Sequence, residues 1–279
     1  MWDEVTDPDA IEYAVVWKPP TGGLAQFRNL KCIISVGAGI DHVLADTQLP
    51  EHVPIIRTTG SDLTQRMREY VCMHVLLQHR KYSETISAQH RCEWTPGITP
   101  TATERTVGVM GLGKLGNSVA TSLHAIGFNT VGWAKSQHNI DNITCYSEHR
   151  LAEFLIQTEV LVCLLPLTDQ TENILNRSLF NQLPAGATII NVGRGEQLVE
   201  QDLIDALDCN QLSHATLDVF RTEPLPAEHP FWRHPNITVT PHIASLIDPE
   251  SGGKEIARNL TDFIQRKPVA DLTDRLRGY

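Results

Sequence analysis

The sequence predicts an α/β protein with two domains, each built on a parallel β-sheet. Three observations point there. Through the middle of the chain, helices alternate with short, nearly continuous apolar strands, the pattern of strands buried on both faces. Near residue 110 a glycine turn joins such a strand to an amphipathic helix. Upstream, a separate group of strands precedes a long helix, and the chain closes on another helix. A middle domain therefore appears inserted into one formed by both ends. At 279 residues the chain suits one large domain or two ordinary ones.

The elements follow in order. Tyr13–Trp17, Cys32–Val36 and Ile55–Thr58 read as strands separated by turns or helical segments. Asp62–Arg91 contains neither proline nor glycine and reads as one long helix. Arg105–Met110 is a strand, and the turn after it opens a helix ending at Gly127. A second strand follows at Asn129–Trp133. Next come a helix at His149–Thr158 and a strand at Glu159–Leu165 that Pro166 stops. A helix at Asn176–Gln182 leads through Pro184-Ala185-Gly186 into the strand Ala187–Val192. The helix Glu200–Leu207 leads to the strand Ala215–Phe220, and the strand Ile237–Thr240 ends at Pro241. The last helix spans Asp248–Arg266. These assignments place one domain at residues 1–70 plus 246–279 and the other at 71–245.

Composition narrows the function. A formal charge of −10 disfavours nucleic acid, which rewards basic faces. The densest apolar run, Val160–Leu167, holds only eight residues, far short of a membrane span. The start Met1-Trp2-Asp3-Glu4 has no basic n-region and no apolar h-region, so no secretory signal is expected. None of the six cysteines forms a CxxC pair, and Cys32 and Cys163 read as small core residues, which fits a reducing, cytoplasmic setting. Twelve histidines include no HExxH or Cys/His zinc spacing, so no metal site is expected.

The glycine turn carries the first chemistry. Gly111-Leu112-Gly113-Lys114-Leu115-Gly116 lies between a strand and a helix. There the first glycine permits the bend, the second lets backbone approach a pyrophosphate, and the third lets the helix pack close to the sheet. A glycine-rich turn that binds nothing is the bland reading; the strand-turn-helix context favours a dinucleotide.

Three polar residues follow strand ends, where open α/β sheets bind ligands. Arg194 follows Asn191-Val192-Gly193, Glu223 follows Asp218-Val219-Phe220-Arg221-Thr222, and His242 follows Thr240-Pro241. Singly they read as a solvated arginine, a Glu-Pro turn and a strand cap. Together, downstream of a dinucleotide turn, they read as a catalytic set.

From Tyr13 to its end, the chain resembles the D-isomer-specific 2-hydroxyacid dehydrogenases. The resemblance rests on Gly37-Ala38-Gly39-Ile40-Asp41, the glycine turn, Leu165-Pro166-Leu167-Thr168, Asn191-Val192-Gly193-Arg194-Gly195, Leu217-Asp218 through Glu223-Pro224-Leu225, and Thr240-Pro241-His242-Ile243-Ala244. The Arg-to-Glu gap of 29 and the Glu-to-His gap of 19 agree with it. Val16-Trp17-Lys18-Pro19-Pro20, Glu223-Pro224-Leu225-Pro226, His229 to Pro235 and Arg277-Gly278-Tyr279 resemble the glyoxylate/hydroxypyruvate reductase A group within it.

The resemblance implies two Rossmann/flavodoxin-like domains and a catalytic set of Arg194, Glu223 and His242. His242 would be the general acid, Glu223 its orienting carboxylate, and Arg194 the clamp on a 2-keto acid carboxylate. Trp17, Gly37, Ala38 and Gly39 would join Arg194 in binding substrate. Gly111, Gly113, Lys114, Leu115, Gly116, Leu165, Pro166, Val192 and Asp218 would line the cofactor, with Asp218 near the nicotinamide amide. It also implies a homodimer, in which Trp94 of the Arg91–Pro96 arm either packs at the interface or reaches the partner's pocket. Against the family pattern, the substrate domain lacks a first strand and helix. The missing piece would be roughly 25–30 residues, and its loss would bare apolar surface.

An NAD enzyme of this fold carries Asp or Glu about 20 residues past the glycines to hold the ribose 2′-OH. Here Ala134 takes that place, followed by Lys135 and Ser136, which could bind a 2′-phosphate. The expected cofactor is NADPH, with NADH possible, and the expected activity is reduction of small 2-keto acids such as glyoxylate and hydroxypyruvate. The alternative is a non-catalytic nucleotide-sensing protein of the same fold, disfavoured by the lack of long tails and peptide-docking extensions.

Overall fold

A computed structural model describes residues 4–269 and 271–273; Arg277-Gly278-Tyr279 lies outside the described residues. The chain divides into two compact units, Met1–Leu63 with Ile247–Tyr279, and Thr64–Leu246. The first division falls inside a helix.

The first unit holds a three-stranded parallel sheet in the order β1 (Tyr13–Val16), β2 (Cys32–Ser35), β3 (Ile55–Ile56). Its strands obey the two-residue period of a sheet. Cys32, Ile34 and Ile56 meet Ile256, Leu260 and Phe263 of α8 (Pro249–Ile264) on one face. Ile33 and Ile55 face the other way, into Leu24, Phe27, Ile40 and Val43, the last from the short helix α1 (Asp41–Leu44). Asp248 caps α8, accepting from Glu250 N at 3.1 Å and Ser251 N at 2.9 Å, with Pro249 at the first helical position.

The expected helix from Asp62 to Arg91 is two helices, α2 (Ser61–His79) and α3 (Tyr82–His90). Between them Lys81 adopts a left-handed backbone (φ +50°). No proline or glycine marks this break, so the sequence reading missed it.

The second unit is a seven-stranded, wholly parallel sheet. Its members are β4 (Thr106–Met110), β5 (Asn129–Trp133), β6 (Thr144–Tyr146), β7 (Val160–Cys163), β8 (Ala187–Asn191), β9 (Leu212–Leu217) and β10 (Ile237–Val239). The order is β10-β9-β8-β7-β4-β5-β6. Connections run outward in one direction from β4 and in the other from β7, which makes the β4/β7 boundary the topological switch point. Two differences from the sequence reading appear. The short β6 was not anticipated, since three residues give no readable period. The strand expected at Ala215–Phe220 is β9, which starts at Leu212 and ends at Leu217, leaving Asp218–Phe220 to the loop.

Helices cover both faces. α2 lays Met67, Tyr70, Val71 and Val75 against Val107, Val109, Val160, Val162 and Ile190, alongside α4 (Lys114–Ile126). α4 buries Gly116, Val119, Ala120 and Leu123, an i, i+3, i+4, i+7 stripe. The other face packs α5 (Leu151–Leu155), α6 (Arg177–Phe180) and α7 (Glu200–Asp208) over Leu161, Cys163, Ile189, Ala215 and Leu217. No helix among the described residues is long and apolar enough to cross a membrane.

Candidate active site

The glycine turn sits at the switch point, and each glycine has its own reason. Gly111 has φ +98°, and a Cβ there would lie 2.6 Å from the carbonyl oxygen of Leu164. A Cβ on Gly116 would lie 1.7 Å from the carbonyl oxygen of Gly111, so only glycine lets α4 pack this close to the turn. Gly113 differs, because a Cβ there would meet nothing within 4 Å. No neighbouring protein atom demands glycine at this position. Gly113 is the N-cap of α4 and its helix receives no side-chain cap. A helix start without a side-chain cap, beside open space at Gly113, fits a pyrophosphate. Gly113 and Lys114 are exposed and Leu115 is half-buried.

Lys135 and Ser136 stand exposed just past β5. Lys135 Nζ donates to Gln170 Oε1 at 2.7 Å, and Ser136 Oγ lies 3.2 Å from His138 Nε2. Ala134 is buried, so no acid occupies the ribose position and a cation, a hydroxyl and an imidazole gather beside it. Gln170 and His138 carried no sequence signal.

Leu165 and Val192 have buried side chains in the cores on opposite faces of the sheet. Pro166 is half-buried. Its carbonyl accepts from Thr171 Oγ1 at 2.6 Å.

Arg194, Glu223 and His242 follow three adjacent strands, β8, β9 and β10. His242 Nδ1 lies 2.9 Å from Glu223 Oε2 and 3.1 Å from Oε1. That contact fixes the ring and leaves Nε2 as the nitrogen that reaches outward. Glu223 is itself held, since Oε1 accepts from Phe220 N at 3.1 Å. Arg194 is half-buried, and its Nη1 donates to the Gly193 carbonyl at 2.7 Å. Asn191 pins the same turn, accepting from Gly193 N at 3.1 Å and donating to Arg194 O at 3.0 Å.

Asp218, expected beside the nicotinamide amide, is 1 % exposed and engaged by its own chain. Oδ1 accepts from Thr240 Oγ1 at 2.6 Å and Ile243 N at 2.9 Å, and Oδ2 accepts from Ala244 N at 2.8 Å. These bonds bracket His242, whose backbone is left-handed at φ +54°. Burial pushes the Asp218 carboxyl above the usual aspartate range; the three hydrogen bonds and the neighbouring His242 hold that rise back. Thr240 has one hydroxyl proton and spends it on Asp218, so Tyr70 Oη, 2.6 Å away, must be the donor to Thr240. Tyr70 and Thr240 thus support the histidine loop. The sequence showed Tyr70 only as part of a helix.

In the first unit, Gly37–Gly39 forms a loop after β2. Ser35 Oγ donates to Gly39 O at 3.2 Å, and Thr58 N donates to Gly37 O at 3.3 Å. Among the described residues the amides of Gly37, Ala38 and Gly39 donate to no protein acceptor. The Trp17 ring covers the loop: a Cβ on Gly37 would come within 2.8 Å of it. Trp17 also packs against the His42 ring at a tilt of 54°, with centroids 4.6 Å apart, and stays 48 % exposed.

All six cysteines are free. No cluster of three metal-ligating side chains occurs among the described residues.

Known proteins fit this geometry. Residues 72–244 match the family model of the D-isomer specific 2-hydroxyacid dehydrogenase NAD binding domain. The glyoxylate/hydroxypyruvate reductase A of Serratia proteamaculans is 41 % identical over 100 % of this chain and 90 % of its own length. A D-isomer specific 2-hydroxyacid dehydrogenase from Xanthobacter autotrophicus, solved with NADPH and MES, superposes with a TM-score of 0.94 at 38 % identity, covering 99 % of this chain and 87 % of that one. An NADPH-dependent glyoxylate/hydroxypyruvate reductase from Sinorhizobium meliloti, solved with NADP and sulfate, gives 0.92 at 37 % identity, covering 98 % and 89 %. The chain belongs to the D-isomer specific 2-hydroxyacid dehydrogenase family.

Proposed function

We propose that this chain is an NADPH-dependent reductase of small 2-keto acids, with glyoxylate and hydroxypyruvate as its substrate class. The observation that carries the reading is the His242–Glu223 pair at 2.9 Å, on strand ends beside that of Arg194 and in the same unit as the glycine turn. The reductases named above, 37–41 % identical to this chain, support it.

When bound, NADPH would supply the hydride. His242 Nε2 gives the proton to the substrate carbonyl oxygen, while Glu223 holds Nδ1 and balances the imidazolium charge. Arg194 grips the carboxylate with its planar guanidinium. The Gly37–Gly39 amides and the Trp17 ring of the first unit are assigned to substrate binding. Gly113, Lys114 and Leu115 at the start of α4 are assigned to the pyrophosphate, and Lys135 and Ser136 to the 2′-phosphate. The backbones of Leu165, Pro166 and Val192 would hold the cofactor, and Asp218 would serve its nicotinamide end. The first unit is then the substrate domain and the second the NAD(P)-binding domain.

We assign a homodimer as well, supported by the arm after α3, where Trp94 is 96 % and Ile98 102 % exposed. Apolar side chains this bare fit an interface. Six free thiols support residence in the cytoplasm.

The test is one initial-rate panel of glyoxylate, hydroxypyruvate, pyruvate and phenylpyruvate against NADPH and NADH. Turnover of glyoxylate and hydroxypyruvate with NADPH is expected. No turnover of any keto acid overturns the reading, and equal use of both cofactors overturns the roles of Lys135 and Ser136. Sedimentation at micromolar concentration should show a dimer; a monomer overturns that assignment.

A further inference from the structure

Gln197 lies in the turn after β8 and is completely buried. An uncharged polar side chain this deep is retained only if its hydrogen bonds are made, and here every polar atom is used. Nε2 donates to Leu165 O at 2.9 Å and to Pro166 O at 3.1 Å. Oε1 accepts from Arg194 N at 2.8 Å and from Cys163 Sγ at 3.5 Å. Burial pushes the Cys163 thiol up to about 12, so it stays protonated and can donate. The amide orientation is thereby fixed, since the reverse would set its NH2 against the Arg194 N–H. Gly193 makes room for it: a Cβ there would fall 2.3 Å from Oε1.

One side chain thus joins two segments that the proposed function gives to different ligands. Leu165 and Pro166 belong to the cofactor, and Arg194 belongs to the substrate. We propose that Gln197 is a positioning residue that couples the two binding events, so that a dinucleotide seated on the Leu165–Pro166 turn sets the Arg194 backbone for a carboxylate, and the reverse. This rests on the function proposed above. Coupling of this kind is reciprocal, and in proteins it commonly amounts to about 5–150-fold.

The probe is oxalate, which carries the glyoxylate carboxylate and cannot be reduced. NADPH binding is titrated with and without saturating oxalate. In the unaltered protein oxalate should tighten NADPH at least about fivefold. Gln197→Glu keeps an acceptor for Arg194 N but loses both donors; Gln197→Met keeps the volume and loses both functions. In either variant the coupling factor should fall below about twofold while the thermal transition stays cooperative, and KM for glyoxylate should rise more than kcat falls. A factor unchanged in a folded variant overturns the proposal, as does binding of both ligands without coupling in the unaltered protein. If neither variant folds, amide exchange in the unaltered protein decides. NADPH alone should slow exchange of the Arg194 amide, and no slowing overturns the inference. Failure of NADPH or oxalate to bind at all instead overturns the proposed function.

Discussion

The turn after β4 and the turns after β8, β9 and β10 are built by opposite means, although the proposed function gives both to one site. The glycine turn is local. Six consecutive residues and one helix start define it, and its requirements are steric: a positive φ at Gly111 and a 1.7 Å conflict at Gly116. The catalytic end is assembled from residues far apart in sequence, and what fixes it is polar. Asp218 holds both neighbours of the His242 loop, Glu223 holds the ring, and Gln197 holds Arg194. A steric site tolerates no added atom, whereas a polar site tolerates no lost partner. Substitutions at the two places should therefore fail differently.

The largest effect should come from the polar half. His242→Gln removes the proposed proton donor and keeps a polar side chain, so kcat/KM should fall by about 10²–10⁴ with little change in thermal stability. Stopped-flow or steady-state assay decides it, and near-normal turnover breaks the assignment. In the steric half, Gly116→Val should act through the fold. The clash with Gly111 O displaces α4, so the free energy of unfolding should fall by about 1–3 kcal/mol or more, as in overpacked cores. By contrast, Gly113→Ala should leave the melting temperature alone and weaken NADPH, because its Cβ meets no protein atom. Loss of stability at Gly113 would erase the distinction between the two glycines.

A buried histidine sharpens the polar side. His214 on β9 bonds Thr238 Oγ1 at 2.9 Å, and burial, reinforced by the charges of His74 and His234, lowers its pKa to about 4 from 6.5. Below pH 6.5 the unfolded chain binds the proton and the native chain refuses it, so stability falls as pH drops from 6.5 toward about 4. The shift corresponds to at most about 3 kcal/mol. His74, whose pKa burial also lowers, acts in the same direction. Urea unfolding at a series of pH values should show His214→Asn flattening this slope, and an unchanged slope would remove His214 as its source. The smallest effect belongs to the exposed end of the cofactor site. Lys135→Ala should raise KM for NADPH by about tenfold and leave NADH unchanged, since one exposed charge-assisted contact is worth roughly 1–1.5 kcal/mol.

Legibility in the sequence divides along the same line. The glycine turn, the absence of an acid at Ala134 and the strand-end positions of Arg194, Glu223 and His242 are readable, because each is a residue type at a fixed offset from a strand; the roles proposed for them rest on the chemistry of the site. The supporting side chains were not. Gln197 stands between a glutamate and a leucine with no pattern to mark it as buried, and Tyr70 looked like any apolar-face residue of a helix. Whether a polar group donates to a carbonyl 31 or 32 positions away depends on packing that no short window contains. The break at Lys81 escaped for a related reason: nothing in its own identity announces a left-handed backbone.

The left-handed backbone of His242 restricts what evolution or a library can place there. Among residues with a side chain, histidine, asparagine and aspartate enter this conformation most readily, and β-branched residues hardly at all. A saturation library at position 242 screened for soluble expression alone, with catalysis ignored, should return glycine, asparagine and aspartate well ahead of valine, isoleucine and threonine. The acid proposed for this reductase is thus drawn from a short menu written by the main chain before any substrate is met.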